Sequence, residues 1–238
     1  MYRKKILLLI SIFVSMSMIA QQQVNISKKL AMPEQWLLQH FKKGIVPPFS
    51  FTYDNRKSED FIKGWKYSIQ KLKNNSPDIV QYSISYQDPL TGLKAVCDIK
   101  AFSDFHTVDW TLHFTNTGKI NTPVIKDVKA ADISFRSNLK SSFQLHYADG
   151  NHISNADFHP RTVNLSQAGP LHMEPIGGRS SQGNFLPFFN IEFPGGQGVV
   201  ASVGWTGNWV ADIGIIGTGN LHFNTGMKNM ELFLFPGE

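Results

Sequence analysis

From Ile79 onward, apolar and polar residues take turns along the chain. Val80, Tyr82, Ile84 and Tyr86 fall on one side of an extended segment, with Gln81, Ser83 and Ser85 on the other. A period of two sets successive side chains on opposite faces of a strand, whereas a helix needs apolar residues three and four apart. Asp88-Pro89-Leu90-Thr91-Gly92 then supplies turn chemistry. Beyond it, Leu93, Ala95, Cys97 and Ile99 alternate with Lys94, Asp98 and Lys100. Val108, Trp110, Leu112 and Phe114 alternate with Thr107, Asp109, Thr111 and His113, up to Asn116-Thr117-Gly118. Phe143, Leu145 and Tyr147 repeat the theme before Asp149-Gly150. Alternating runs with turn signals at intervals of roughly 8–12 residues predict an antiparallel sandwich or barrel. One face of each sheet is packed and the other is wet.

The two ends of the chain read differently. Residues 1–20 begin with Arg3, Lys4 and Lys5 and continue as an apolar run from Ile6 to about Val14, reaching Ala20. This is the pattern of a secretory signal peptide, and the apolar run is short for a membrane span. Export to the periplasm or the extracellular space is the expectation, with no membrane attachment after cleavage. Losing the three leader cations leaves 20 Lys and Arg against 18 acids in the remaining 218 residues, so the apparent basicity is largely the leader's. That near-balance gives no footprint for nucleic acid. Gln21 to about Val46 is the helical candidate: Pro33-Glu34 opens it and Gly44 with Pro47-Pro48 stops it. Residues 47–238 are expected to form one β domain. At its end, Leu221-His222-Phe223 and Met230–Phe235 look like a hairpin around Asn224-Thr225-Gly226. Asn151 to Pro170 shows no alternation, and a connection of that length is often functional.

Two indoles invite a functional reading. Trp205 and Trp209 bracket Thr206-Gly207-Asn208, between Val199, Ala201, Val203 on one side and Ala211, Ile213, Ile215 on the other. A hairpin there makes the indoles cross-strand neighbours that cap the apolar layer at its rim. The alternative is an indole that reaches a sugar. Gly177-Gly178-Arg179-Ser180-Ser181 is a Gly-rich turn without the glycine spacing or lysine of a phosphate loop. Its Arg179 serves either a ligand or the neighbouring loop. A glycosidase needs two carboxylates about 5–10 Å apart, and no acid pair stands out as catalytic. The eight histidines scatter without metal-ligand spacing, and no metal or cofactor is expected. His172 and Glu174 suit an acid/base couple of the kind sugar epimerases use, although spacing alone specifies no geometry and an edge strand is the plainer reading. One cysteine, Cys97, leaves stability to core burial, not to an internal disulfide.

Several segments together resemble one family. They are PPFSFTYDNRKS at 47–58, YQDPLTGLKAVCDIKAFSDFHTVDWTLHFTNTG at 86–118, GGRSSQGNFLPFFNIEFPGGQGVVASVGWTGNW at 177–209, and the closing LFLFPGE. They are similar to the amino-terminal region of bacterial α-galactosidases (melibiases) of glycoside hydrolase family 36 and close relatives. The resemblance implies an antiparallel β-supersandwich of the galactose mutarotase type with a short N-terminal helix. In such enzymes that domain precedes a (β/α)₈ barrel that cleaves α-galactosides with retention, using two aspartates of the barrel. The chain is therefore expected to stop before its catalytic domain and to carry no catalytic residue. Its implied partners are the barrel, an α-galactoside and further copies in a homo-oligomer. Weak sugar-binding candidates are Trp65, Arg179, Trp205 and Trp209. The competing expectations are a free-standing carbohydrate-binding module and a mutarotase-like epimerase.

Overall fold

A computed structural model describes residues 32–136, 143–155, 157–217 and 220–238. The leader and the first half of the expected helical segment lie outside the described residues. Helix α1 covers 32–40. It is followed by β1 (Ser50–Tyr53), β2 (Arg56–Lys57), β3 (Lys66–Leu72), β4 (Ile79–Gln87), β5 (Leu93–Phe102), β6 (Thr107–Asn116), β7 (Ile125–Arg136) and β8 (Gln144–Ala148). Then come β9 (Pro160–Asn164), the short helix α2 (Leu165–Ala168), β10 (Leu171–Met173), β11 (Phe188–Glu192), β12 (Gly198–Ser202), β13 (Trp209–Ile216), β14 (Asn220–Met227) and β15 (Glu231–Leu232). The paired strands run antiparallel, so the fold is all-β, as the alternation predicts.

The chain divides into two compact units, one containing Trp65–Thr115 with the helix before Ile45, the other Val46–Gly64 with Asn116–Glu238. In the first, β3-β4-β5-β6 form a four-stranded sheet. Leu93, Ala95, Cys97 and Ile99 are wholly buried, and Ile84 and Tyr86 lie on the buried row of β4. Helix α1 packs on this sheet through Trp36, stacked 6.1 Å from Trp110, and Phe41 just past its end sits edge-on to the same ring at 5.7 Å. Glu34 pins the helix at its start, accepting from the Tyr82 hydroxyl at 2.6 Å and from Lys71 Nζ at 2.9 Å. The turn after β4 is made by Asp88, whose carboxylate accepts from Leu90 N–H and Thr91 Oγ1. Burial pushes the Cys97 thiol well up, and the charge of Asp98 adds to that.

The second unit is a two-sheet sandwich. Its larger sheet runs β10-β13-β14-β7-β1-β2, with β15 also on β7; its smaller sheet runs β12-β11-β8-β9. Between them lie Leu145 and Phe189 from the small sheet and Trp209, Ala211, Ile213, Leu221 and Phe223 from the large one. Phe189 sits edge-on to Trp209 at 5.7 Å and tilted against Phe223 at 5.8 Å. Aromatic contacts of this geometry contribute beyond the area they bury.

Three expectations are corrected here. The stretch from Val199 to Ile215 is not a hairpin: β12 pairs with β11, and β13 pairs with β10 and β14 in the other sheet. The facing of the residues survives, since Val199, Ala201 and Val203 still pack on the core, but the connection crosses the sandwich. The expected turn at Asn224-Thr225-Gly226 is the interior of β14. Gly226 stands at a register shift where a Cβ would collide with the Val128 carbonyl, so glycine marks a close backbone approach and not a turn. The region 151–170 holds β9 and α2, and Asn164 caps α2 by accepting from Ser166 N–H at 3.0 Å.

Candidate functional site

Two surfaces of the second unit gather chemistry, and one of them includes three of the four sequence-predicted sugar-binding candidates, Arg179, Trp205 and Trp209. It is a set of loops knitted by backbone hydrogen bonds. Asn151 N–H donates to the Ser181 carbonyl at 2.7 Å, and Ser180 N–H donates to the Thr206 carbonyl at 3.2 Å. Gly177 and Gly178 both take positive φ, which lets the chain reverse ahead of Arg179. Trp209 closes the arrangement from below: its indole N–H donates to the Ser180 carbonyl at 2.8 Å while its ring is wholly buried.

The four sugar-binding candidates therefore separate. Trp209 is a core residue that holds the Arg179 loop, and its ring offers no face to solvent. Trp65 is 7% exposed and belongs to the first unit, so it does not join the others as a surface aromatic. Trp205 is 45% exposed, on a loop and not on a strand, with its indole folded against Gly207 where a Cβ would meet Nε1. Arg179 is exposed, and among the described residues its side chain makes no hydrogen bond or ion pair. The Ser180–Thr206 bond places these last two on adjoining loops. A half-exposed indole and an unpaired guanidinium offer an apolar ring face and five donors, the two functions a sugar edge requires.

The second surface is the face of the seven-stranded sheet that points away from the core. On β10 and β13, His172 stands opposite Asp212, and Nδ1 donates to Oδ1 at 2.6 Å. Across from Asp212 comes Asn224 on β14, and across from that Asp132 on β7. Asp132 accepts from His222 Nε2 at 2.6 Å and from Ser50 Oγ at 2.5 Å. Glu174 completes the network, 3.5 Å from His172 Nε2 and 2.8 Å from Lys228 Nζ. Asn224 Oδ1 is buried with no hydrogen-bond partner among the described residues.

The electrostatics of this face favour its charged forms. The hydrogen bond to Asp212 raises the His172 pKa above its ordinary value, and the charges of Asp212 and Glu174 act the same way. The hydrogen bond from Lys228 lowers Glu174, and His172 lowers it further. Both shifts favour the charged forms, so His172 and Glu174 stand as an imidazolium beside a carboxylate. A glycosidase general acid needs a carboxyl held high, and Glu174 is held low. Asp132 is desolvated, which pushes it up, but its bonds from His222 and Ser50 outweigh burial and leave it lowered.

Sequence reasoning named His172 and Glu174 but missed Asp212, Asp132, His222 and Ser50 as one network. The available signal was the polar residue at alternate positions of β14, Asn220, His222 and Asn224, with Asp212 alone on β13. What sequence withheld was which strands are neighbours. Among the described residues no group of three or more His, Cys, Asp or Glu is arranged to hold a metal ion.

No protein-family model matches the chain. No curated protein matches its sequence. Solved structures do match. The glycoside hydrolase family 36 α-galactosidase AgaA from Geobacillus stearothermophilus is similar at a TM-score of 0.61 with 17% identity, over 81% of this chain and 28% of that one. A variant of AgaA in complex with raffinose matches equally. The α-galactosidase from Lactobacillus brevis is similar at 0.58 with 14% identity, over 81% of this chain and 29% of that one. The galactosidase domain of the α-galactosidase-sucrose kinase AgaSK is similar at 0.55 and 13% identity. The chain thus has the fold of a part of these enzymes and spans less than a third of their length.

Proposed function

We propose that this chain is the non-catalytic β-sandwich part of an exported α-galactosidase-like glycoside hydrolase, supporting a catalytic barrel and shaping its carbohydrate cleft. The observation that carries the reading is the fold likeness over 81% of the chain to under a third of each galactosidase. Glu174, held low by Lys228, does not suit the raised carboxyl of a glycosidase general acid, which supports a division of labour in which bond cleavage belongs elsewhere. Arg179 and Trp205 are the residues that contribute a wall to the cleft, held in place by Trp209 from inside. An assay of the purified chain on an aryl α-galactoside and on raffinose is expected to show no turnover above buffer. Turnover that co-purifies with the folded chain overturns the reading.

A second reading, a free-standing carbohydrate-binding module, is favoured by the exposed Trp205 alone. It requires heat of binding in a calorimetric titration with galactosides at millimolar concentration, abolished by Trp205→Ala. On the first reading the isolated chain gives no such heat, because its rim is one wall of a larger cleft.

A further inference from the structure

An arginine in a Gly-rich turn can pin the loop beside it, and around Arg179 other groups already do so. The Trp209 indole donates to the Ser180 carbonyl, and Ser180 N–H donates to the Thr206 carbonyl. Gln182 N–H closes the turn on the Arg179 carbonyl at 3.2 Å, and Gly183 N–H donates to the Asn151 carbonyl at 3.1 Å. The Gln182 side chain lies over Gly177, where a Cβ would meet its Oε1 at 2.8 Å. The loop is held without the guanidinium, which is exposed and, among the described residues, makes no hydrogen bond or ion pair.

The charge of Arg179 is also unmatched. Three segments meet at this rim, 149–159, 174–187 and 203–208, and Arg179 is their single lysine or arginine. Their acids are Asp149, Asp157 and Glu174. Asp149 accepts from Arg161, at 2.6 Å from Nη2 and 3.0 Å from Nε. Asp157 is turned into its own loop, where it accepts from the N–H groups of His152, Ile153 and Ser154 and from Ser154 Oγ. Glu174 pairs with Lys228 Nζ at 2.8 Å. Each acid is engaged elsewhere. Beside the unpaired cation stands Trp205, half-exposed on the loop bonded to Ser180, and the exposed Ser181 and Thr206 add neutral hydroxyls.

We infer that this rim selects an acidic sugar, one whose ring lies on the Trp205 indole and whose carboxylate or sulfate takes the Arg179 guanidinium. The inference rests on the reading of the rim as one wall of a carbohydrate cleft, and it adds the charge of the ligand. A neutral sugar edge asks for single donors and acceptors, which Ser, Thr and Asn supply without ordering a long cationic side chain. The guanidinium fork instead makes two parallel N–H···O bonds, a geometry that matches the paired oxygens of a carboxylate or a sulfate. Bonds to a charged oxygen are roughly twice as strong as neutral ones. At an exposed position water screens much of that gain, leaving an advantage of about fivefold in affinity over the uncharged sugar.

The test is a titration of the full folded chain, read by NMR at the Trp205 indole N–H and the Arg179 Nε–H, because one wall of a cleft binds too weakly for calorimetry. The probes are methyl α-galactoside, its uronate and its sulfate ester, with sodium acetate and sodium sulfate as anions that lack a sugar. An acidic sugar is expected to shift both signals at about fivefold lower concentration than the neutral one, and the stronger of the two acids identifies the group. Arg179→Gln is expected to erase that advantage with an unchanged thermal midpoint, Arg179→Lys to restore only part of it, and added salt to shrink it. Trp205→Ala is expected to abolish the response to sugars at Arg179. Equal titration midpoints for acidic and neutral sugars overturn the inference, as does an advantage that survives Arg179→Gln or a response that survives Trp205→Ala. Acetate or sulfate acting as strongly as the acidic sugars overturns it too, and so does the absence of any shift up to the solubility limit. Turnover of an aryl α-galactoside overturns the proposed function instead and leaves the ratio of acidic to neutral binding as measured.

Discussion

The two faces of the seven-stranded sheet share their backbone but not their rules. Toward the small sheet, β13 and β14 present Trp209, Ala211, Ile213, Leu221 and Phe223, all buried against Phe189 and its neighbours. Toward the other side the same strands present Asp212, bonded to His172, and His222, bonded to Asp132, with Asn224 between Asp212 and Asp132 in the cross-strand row. The first face is held by area removed from water and by close packing. The second is held by charge-assisted hydrogen bonds whose partners must each remain in one protonation state. One face should accordingly be sensitive to volume and indifferent to pH, and the other the reverse.

The largest effect belongs to the packed face. Trp209→Ala removes a wholly buried indole and the bond that holds Ser180, and about 3–5 kcal/mol of stability should be lost. Trp205→Ala, at a half-exposed loop position, should cost less than about 1 kcal/mol. Denaturant titration of both variants checks the contrast, and equal losses would erase it. On the polar face Asp132→Ala leaves His222 and Ser50 without their acceptor. Because those side chains keep partial access to water, the expected loss is about 1–2 kcal/mol.

The pH dependence sharpens the same contrast. Asp132 is lowered below its ordinary 3.8, so its contribution is present above that value and is lost as pH falls through the folded-state pKa. His222 is raised above its ordinary 6.5 by its bond to Asp132, so its contribution is complete below 6.5 and is lost as pH rises through the folded-state pKa. The two describe one ion pair and are not added. The pair stabilises most between those two ordinary values, and His172, raised by Asp212, follows the same sign as His222. Thermal midpoints measured from pH 5 to pH 9 should fall at the alkaline end. A His172→Gln, His222→Gln double variant should flatten that fall, and an unaltered slope would detach it from this face. The smallest effect is at the margin: Lys228→Ala breaks a solvent-accessible pair with Glu174 and should cost less than about 1 kcal/mol, diminishing further in salt.

Faces were legible in the sequence, and neighbours were not. The alternation placed Leu93, Ala95, Cys97 and Ile99 inside, and all four are buried. It also placed Trp209, Ala211 and Ile213 on a core-facing row. A period of two is local and survives any choice of partner strand. Pairing depends on contacts distant in sequence, which is why β12 and β13 were joined as a hairpin although they belong to different sheets. Glycine misled for a related reason: at Gly226 it accommodates the backbone of β7, a neighbour 98 residues earlier at Val128, and that requirement looks from sequence like a turn. The candidate site was legible to the same extent. Arg179 and Trp205 were visible as residue types, but the bond between their loops and the support from Trp209 are tertiary. The network of Asp212, Asp132, His222 and Ser50 needs three strand pairings, β13–β14, β14–β7 and β7–β1, before all of its members are neighbours.

Cys97 lies in the middle of β5 at zero exposure, and it is the molecule's sole thiol. A thiol reagent can reach it only when that sheet opens. The rate of labelling is therefore a clock for local opening of the first unit, with no second sulfhydryl to confuse the reading. Chemistry that most proteins need an engineered probe to supply is already wired into this one.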